Sequence, residues 1–167
     1  MLKTILTLAL CLLTAVAFSQ SIQEKIRDDK IEYVNSNDSA MQRAYQKARA
    51  GLPDFLAKLA NPSKDTDMYS VKVGVKDGKN TEYFWIADIV RRDGKFSGVI
   101  DNDAELVTNV KIGQKIDFVQ SEIVDWTYLD QKQRKMFGNF TMCAMLLKES
   151  KSDAEDVQRK LGLTCEL

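Results

Sequence analysis

Histidine is missing from the 167-residue sequence altogether. That absence removes the usual general base, the commonest metal ligand and the usual pH switch together. Ser–His–Asp and Cys–His catalysis are excluded, as is any zinc site built on imidazole. An excess of one charge is missing too: 24 Lys and Arg face 24 Asp and Glu, with no basic block. A chain balanced in this way carries no electrostatic footprint for nucleic acid and no patch for an anionic membrane surface. Proline occurs only twice, and neither internal repeats nor low-complexity tracts divide the chain. Nothing in it matches a metal or phosphate motif, so no cofactor is expected.

What is present begins with a short apolar run. Lys3 is followed by Ile5–Phe18, which is uncharged and mostly apolar. A membrane-spanning helix needs about 20 such residues and a signal-peptide core about 7–15, so the run predicts a cleavable signal over residues 1–19. Ala17-Phe18-Ser19 places small residues for cleavage before Gln20, and Ala15-Val16-Ala17 offers the alternative before Phe18. Cys11 lies inside the apolar run after Leu10, which excludes a lipoprotein cysteine. The expected product is exported, periplasmic or extracellular, with no stable membrane insertion once the signal is removed. About 148 residues remain, enough for one domain with a real core, and loss of Lys3 leaves 23 basic against 24 acidic residues. Two cysteines stay with the mature chain, Cys143 and Cys165. In an oxidising compartment such a pair is more often a disulfide than two free thiols or a redox centre, and no CxxC spacing or neighbouring His favours thiol chemistry.

Residues 20–30 are polar and read as a lead-in, with Ile31–Val34 a candidate edge strand and Asn35–Asp38 a run of candidate helix caps. Met41, Ala44, Tyr45 and Ala48 recur with helical spacing, and the rhythm restarts at Leu52, Phe55, Leu56 and Leu59. Gly51 and Pro53 between them predict a bent helical pair. After a loop over residues 61–67 the period changes to two. Tyr69, Val71, Val73 and Val75 mark a strand, Asp77-Gly78 a hairpin turn, Glu82–Val90 a return strand apolar on both faces, and Lys95–Ile100 a third. A polar bend at Asp101–Ala104 follows, then strands around Ile116 and Phe118 and over Val124–Tyr128. Lys132–Lys135 is a basic loop, and the segment Phe137–Leu147 fits a helix or a strand. Ser152-Asp153-Ala154-Glu155 is a capping box opening a last helix that stops at Gly162. Helices, then consecutive antiparallel strands, then helices make an α+β fold with about five strands.

Several segments together resemble a known family, the exported YegJ-like proteins, called domain of unknown function 2314. They are Ala48–Phe55, Tyr83–Asp88, Phe96–Asn102, Gly113–Phe118, Ile123–Tyr128 and Gly138–Thr141, in the family's order across residues 38–148. The resemblance implies a mostly bacterial, often exported domain and brings no activity with it. The stretch after Lys151 lies outside the resemblance, so residues 149–167 are read as a separate helical tail.

Candidate site residues are few. Asp88 and Asp125 invite an acid–base reading, since glycoside hydrolysis needs two carboxylates about 5–10 Å apart; strand-end aspartates are more often turn or cap residues. Trp85, Trp126 and Tyr128 could form an aromatic binding wall, against the commoner role of core packing. Asp101, Asn102, Asp103 and Glu105 lack the twelve-residue calcium pattern and read as a solvated turn. Asn139, after Gly138, reads as a cap or turn residue, and the basic loop as a solvated surface. Two functions fit. One is a small exported interaction module that recognises another protein; the other is a cell-envelope hydrolase using Asp88 and Asp125.

Overall fold

The computed structural model describes residues 38–166. The expected signal, the lead-in and the candidate strand Ile31–Val34 lie outside the described residues.

Helix α1 spans Ser39–Ala60. The Asp38 carboxylate caps it, accepting from the Ala40 and Met41 amides at 2.9 and 3.2 Å, which satisfies two of the donors that a helix start leaves unpaired. Met41, Ala44, Ala48, Leu52 and Phe55 form its buried stripe. The expected pair of helices is one helix, with Gly51 and Pro53 both inside it. Proline removes the hydrogen bond to the carbonyl four residues earlier. Here that carbonyl belongs to Arg49, an exposed residue, so solvent can satisfy it and the helix continues. Gly51 serves a close approach rather than a break: a Cβ there would meet Trp126 Cζ2 at 2.7 Å.

The chain then builds one antiparallel sheet from β1 (Thr66–Asp77), β2 (Asn80–Arg92), β3 (Lys95–Ile100), β4 (Lys115–Phe118), β5 (Ile123–Asp130) and β6 (Lys135–Gly138). The spatial order is β4-β3-β2-β1-β5-β6. Among the described residues six strands stand where about five were expected, because the basic loop is a tight turn that ends in β6, four residues too short to show alternation. Asp77 pairs with Asn80 across the first hairpin, as its Asp-Gly signal implies. Val71 and Val73 of β1 alternate with Ser70 and Lys72, and their partners Ile86 and Phe84 are fully buried. These residues form the core with Ile100, Phe118 and Ile123 of the sheet, Leu52 and Phe55 of α1, and Val107 of the β3–β4 connection.

That connection is fastened from β1 and β2. The Glu82 carboxylate accepts from the amides of Glu105, Leu106 and Val107 at 2.8–3.2 Å, and Asp77 accepts from the amide and hydroxyl of Thr108, each at 2.9 Å.

Helix α2 (Phe140–Leu146) resolves the ambiguous segment. Asn139 before it adopts φ 58, a left-handed turn that ends the strand and starts the helix. Helix α3 (Lys151–Leu161) is capped by Ser150, which accepts from the Asp153 amide at 3.2 Å. The capping serine therefore lies two residues before the expected Ser152, because the pair that closes on itself is Ser150–Asp153, also joined side chain to side chain at 2.7 Å. Gly162 ends α3 as expected, with φ 65.

Candidate functional site

Strand register sets Trp85, Lys72 and Asp125 side by side across β2, β1 and β5. Asp125 is fully buried. Its Oδ1 accepts from the Trp126 amide at 2.8 Å and the Phe140 amide at 3.3 Å. Its Oδ2 accepts from the amide and the hydroxyl of Thr141, both at 2.7 Å. Asp125 thus caps the start of α2 from a neighbouring strand. Asn139, held in the left-handed turn, makes no side-chain cap of its own, and the orphan amides of α2 need an acceptor.

Lys72 reaches the same group through Thr141, donating to its Oγ1 at 3.0 Å. The ammonium also stands over the Trp85 ring, 5.1 Å from its centre, within cation–π range. Burial pushes the Lys72 ammonium below the ordinary lysine range, and the Asp125 charge pushes it back. Burial raises the Asp125 carboxyl, against the Thr141 amide and hydroxyl, the Lys72 charge and the Trp126 amide, which lower it. The net shift is upward, with burial the largest cause, while four donors are aimed at the two oxygens. Beside this row Tyr83 packs over Gly74, its cross-strand partner. Burial, Tyr83 and the Asp125 charge push the Tyr45 phenol up to about 12.

The two aspartates are not brought together. Asp88 is exposed at a bulge in the β2–β3 pairing, with φ 50. It lies two strands and three residues from Asp125, roughly 14 Å at ordinary strand spacing and rise. An open depression lined by Val90, Arg92, Lys95, Phe96, Lys115 and Asp117 contains neither carboxylate.

The aromatic residues separate in the same way. Trp126 is buried under α1, stacked on Phe55 at 5.1 Å, and its Nε1 donates to the Ala48 carbonyl at 2.8 Å. Tyr128 is buried between Tyr69 and Phe137, at 5.4 and 5.1 Å. Trp85 alone of the three is half-exposed. Asn139 is buried, its amide N–H donating to the Trp126 carbonyl at 2.8 Å. Asn102 Oδ1 accepts from the Trp85 amide at 2.8 Å, a structural use within the calcium-like stretch. Among the described residues no group of three or more His, Cys, Asp or Glu is placed to hold a metal ion, and no helix is long and apolar enough to cross a membrane.

Lys72, Tyr45, Tyr83 and Thr141 carry no site signal in the sequence. Lys72 occupies a polar position of an alternating strand, which reads as a solvated lysine until register sets Trp85 and Asp125 on either side.

The Cys143–Cys165 disulfide joins α2 to the C-terminal tail. The family described as "Uncharacterized protein conserved in bacteria (DUF2314)" matches residues 38–165, so the match runs through that tail, beyond the 38–148 of the resemblance. "Uncharacterized protein YegJ" of Escherichia coli (strain K12) is 32% identical over 159 residues, covering 95% of this chain and 97% of that protein. A "Putative ankyrin repeat protein" of Neisseria meningitidis serogroup B is 29% identical over 126 residues, covering 71% of this chain and 49% of that protein. No solved structure gives a significant match. With the family match spanning most of the chain and a relative alike along nearly its whole length, the chain belongs to the YegJ-like DUF2314 family of bacterial proteins.

Proposed function

We propose that the protein is an exported, non-catalytic module that recognises another protein through the sheet face carrying Lys72, Tyr83 and Trp85. The saturation of Asp125 carries this reading. Each of its oxygens already accepts two hydrogen bonds, which leaves no free lone pair suited to a nucleophile or general base. The carboxylate that a hydrolase would need is committed to holding α2 in place. Trp85 and Tyr83 keep exposed ring surface beside a cation, and large aromatics next to a positive charge are the residue types that anchor protein interfaces. The relative named for ankyrin repeats, half of whose length this chain spans, supports a role in protein recognition. Export rests on the apolar run Ile5–Phe18 and the small residues that follow it.

The test uses the full chain expressed with its leader. Intact mass of the exported fraction should place the mature start at Gln20 or Phe18. A photo-crosslinking residue at Tyr83 should give one discrete protein adduct that is lost on Trp85→Ala, while the same residue at exposed Ile112 gives none. Full-length mass in the membrane fraction would refute export. Equal adducts at both positions would refute the recognition face.

A further inference from the structure

Strand β4 is the outermost strand on one side of the sheet, with no described strand beyond it. Its outward groups follow from the ladder on its inner side. The Ile100 amide donates to the Gln114 carbonyl at 2.9 Å, and the Ile100 carbonyl accepts from the Gly113 amide at 2.8 Å, so position 114 faces β3. Orientation alternates along an antiparallel strand, and the pairs Gly98–Ile116 and Phe96–Phe118 continue the register. Ile116 and Phe118 therefore bond to β3, and the amides and carbonyls of Lys115 and Asp117 point away from the sheet. Both of these side chains are exposed, while Ile116 is half-buried and Phe118 buried. Among the described residues neither charge is in an ion pair. An exposed apolar residue stands just past each end of the strand: Ile112, 50% exposed, and Val119, 42% exposed.

We propose that β4 is the contact strand of a two-fold homodimer, pairing antiparallel with β4 of a second copy about Ile116. Outward groups meet outward groups when the axis passes through position 115, 116 or 117. An axis at 115 sets Lys115 against its own copy, and one at 117 sets Asp117 against its own copy; like charges directly opposite oppose pairing. Centred on Ile116, Lys115 of each copy lies opposite Asp117 of the other. Each such pair exchanges both backbone hydrogen bonds, and opposite charges adjoin on the exposed face. Ile116 meets Ile116 on the other face, and Val119 falls opposite Gly113, next to the exposed Ile112. Charge of one sign on an edge strand keeps copies apart, whereas Lys115-Ile116-Asp117 is complementary to itself. By register Lys115 shares a sheet face with Val99 and Ala87, and hence with Trp85. The axis stands normal to the sheet, so the faces carrying Lys72 and Trp85 in the two copies point the same way. The pairing itself does not depend on what that face binds.

Sedimentation equilibrium of the mature protein tests the pairing. The native sequence should behave as a monomer–dimer system at up to about 0.1 mM. Lys115→Asp and Asp117→Lys should each weaken the dimer about tenfold or more, since each leaves the edge with charge of one sign. The thermal midpoint of the dilute monomer should stay unchanged in both, because the two side chains are exposed. An equimolar mixture of the two variants should associate as strongly as the native protein, because each edge then meets its opposite. Trp85→Ala should leave the dimer intact, which separates this contact from the recognition face. A native protein that stays monomeric over the whole range would overturn the proposal. So would dimers that both reversals leave equally tight, a mixture no tighter than either variant alone, or dissociation by Trp85→Ala.

Discussion

Gly51→Ala should change sign with the residue it faces. In an exposed helix interior, alanine is favoured over glycine by about 1 kcal/mol. At position 51 the added methyl would stand 2.7 Å from Trp126 Cζ2 and 3.5 Å from Cε2, nearer than carbon atoms pack. The ring has little room to yield. It is stacked on Phe55 at 5.1 Å, meets Phe140 edge-on at 5.4 Å, and is tied through Nε1 to Ala48. Overpacking of this kind costs about 1–3 kcal/mol, so the substitution should destabilise the otherwise native protein by up to about 2 kcal/mol. Trp126→Ala alone should cost about 3–5 kcal/mol, the range for a buried aromatic truncated in a core. In that background the obstacle is gone, and Gly51→Ala should stabilise by up to about 1 kcal/mol. The double-mutant cycle should therefore show a coupling of about 1–3 kcal/mol, the overpacking cost itself. Urea denaturation followed by far-ultraviolet circular dichroism gives all four stabilities. If Gly51→Ala stabilises the native protein and the Trp126→Ala variant alike, the close approach is not what selects glycine there.

The other predictions concern charge and covalent ties. Asp125→Ala should cost about 3–5 kcal/mol, because the Thr141 hydroxyl and the amides of Trp126, Phe140 and Thr141 lose their buried acceptor and Lys72 loses its neighbouring negative charge; unchanged stability by chemical denaturation would show that the carboxylate is free for other work. The Tyr45 phenol, pushed up to about 12, should be missing from the titration step near pH 10, and an ultraviolet difference titration against Tyr45→Phe isolates it. Because its folded value is raised, its stabilisation is fully present below pH 10 and is lost as the pH rises through about 12; an ordinary titration at pH 10 would refute its burial against Tyr83. The mature exported protein should show no free thiol under denaturing, non-reducing conditions, and reduction should cost about 3 kcal/mol for a loop of this size; labelling of both Cys143 and Cys165 would refute the pairing.

The alternating valines of β1, the Asp-Gly turn and the helical spacing of Met41, Ala44 and Ala48 are local signals, and local signals sufficed for the α+β class. Side chains two or three or four apart share a face whatever the rest of the chain does. The segments from Ala48–Phe55 to Gly138–Thr141, taken together, sufficed for the family as well. Pro53 and Gly51 misled for the same reason that the others succeeded. Read locally they end a helix, whereas a tryptophan 75 positions away and the exposure of one carbonyl decide that the helix goes on. Strand β6 is too short to carry a period, and α2 depends on an acceptor from another element. Trp85, Trp126 and Tyr128 are alike as sequence, yet one lies half-open beside a lysine and two lie in the core, since only pairing register and the place of α1 determine which ring is covered. Asp125 reads in sequence as a turn or cap residue more often than as an acid–base group, but nothing local names what it caps. Its role is set by Phe140 and Thr141 of α2, which donate to it, and by Lys72 of β1, which reaches it through Thr141, because hydrogen-bond saturation is a property of assembled neighbours and no single segment contains it.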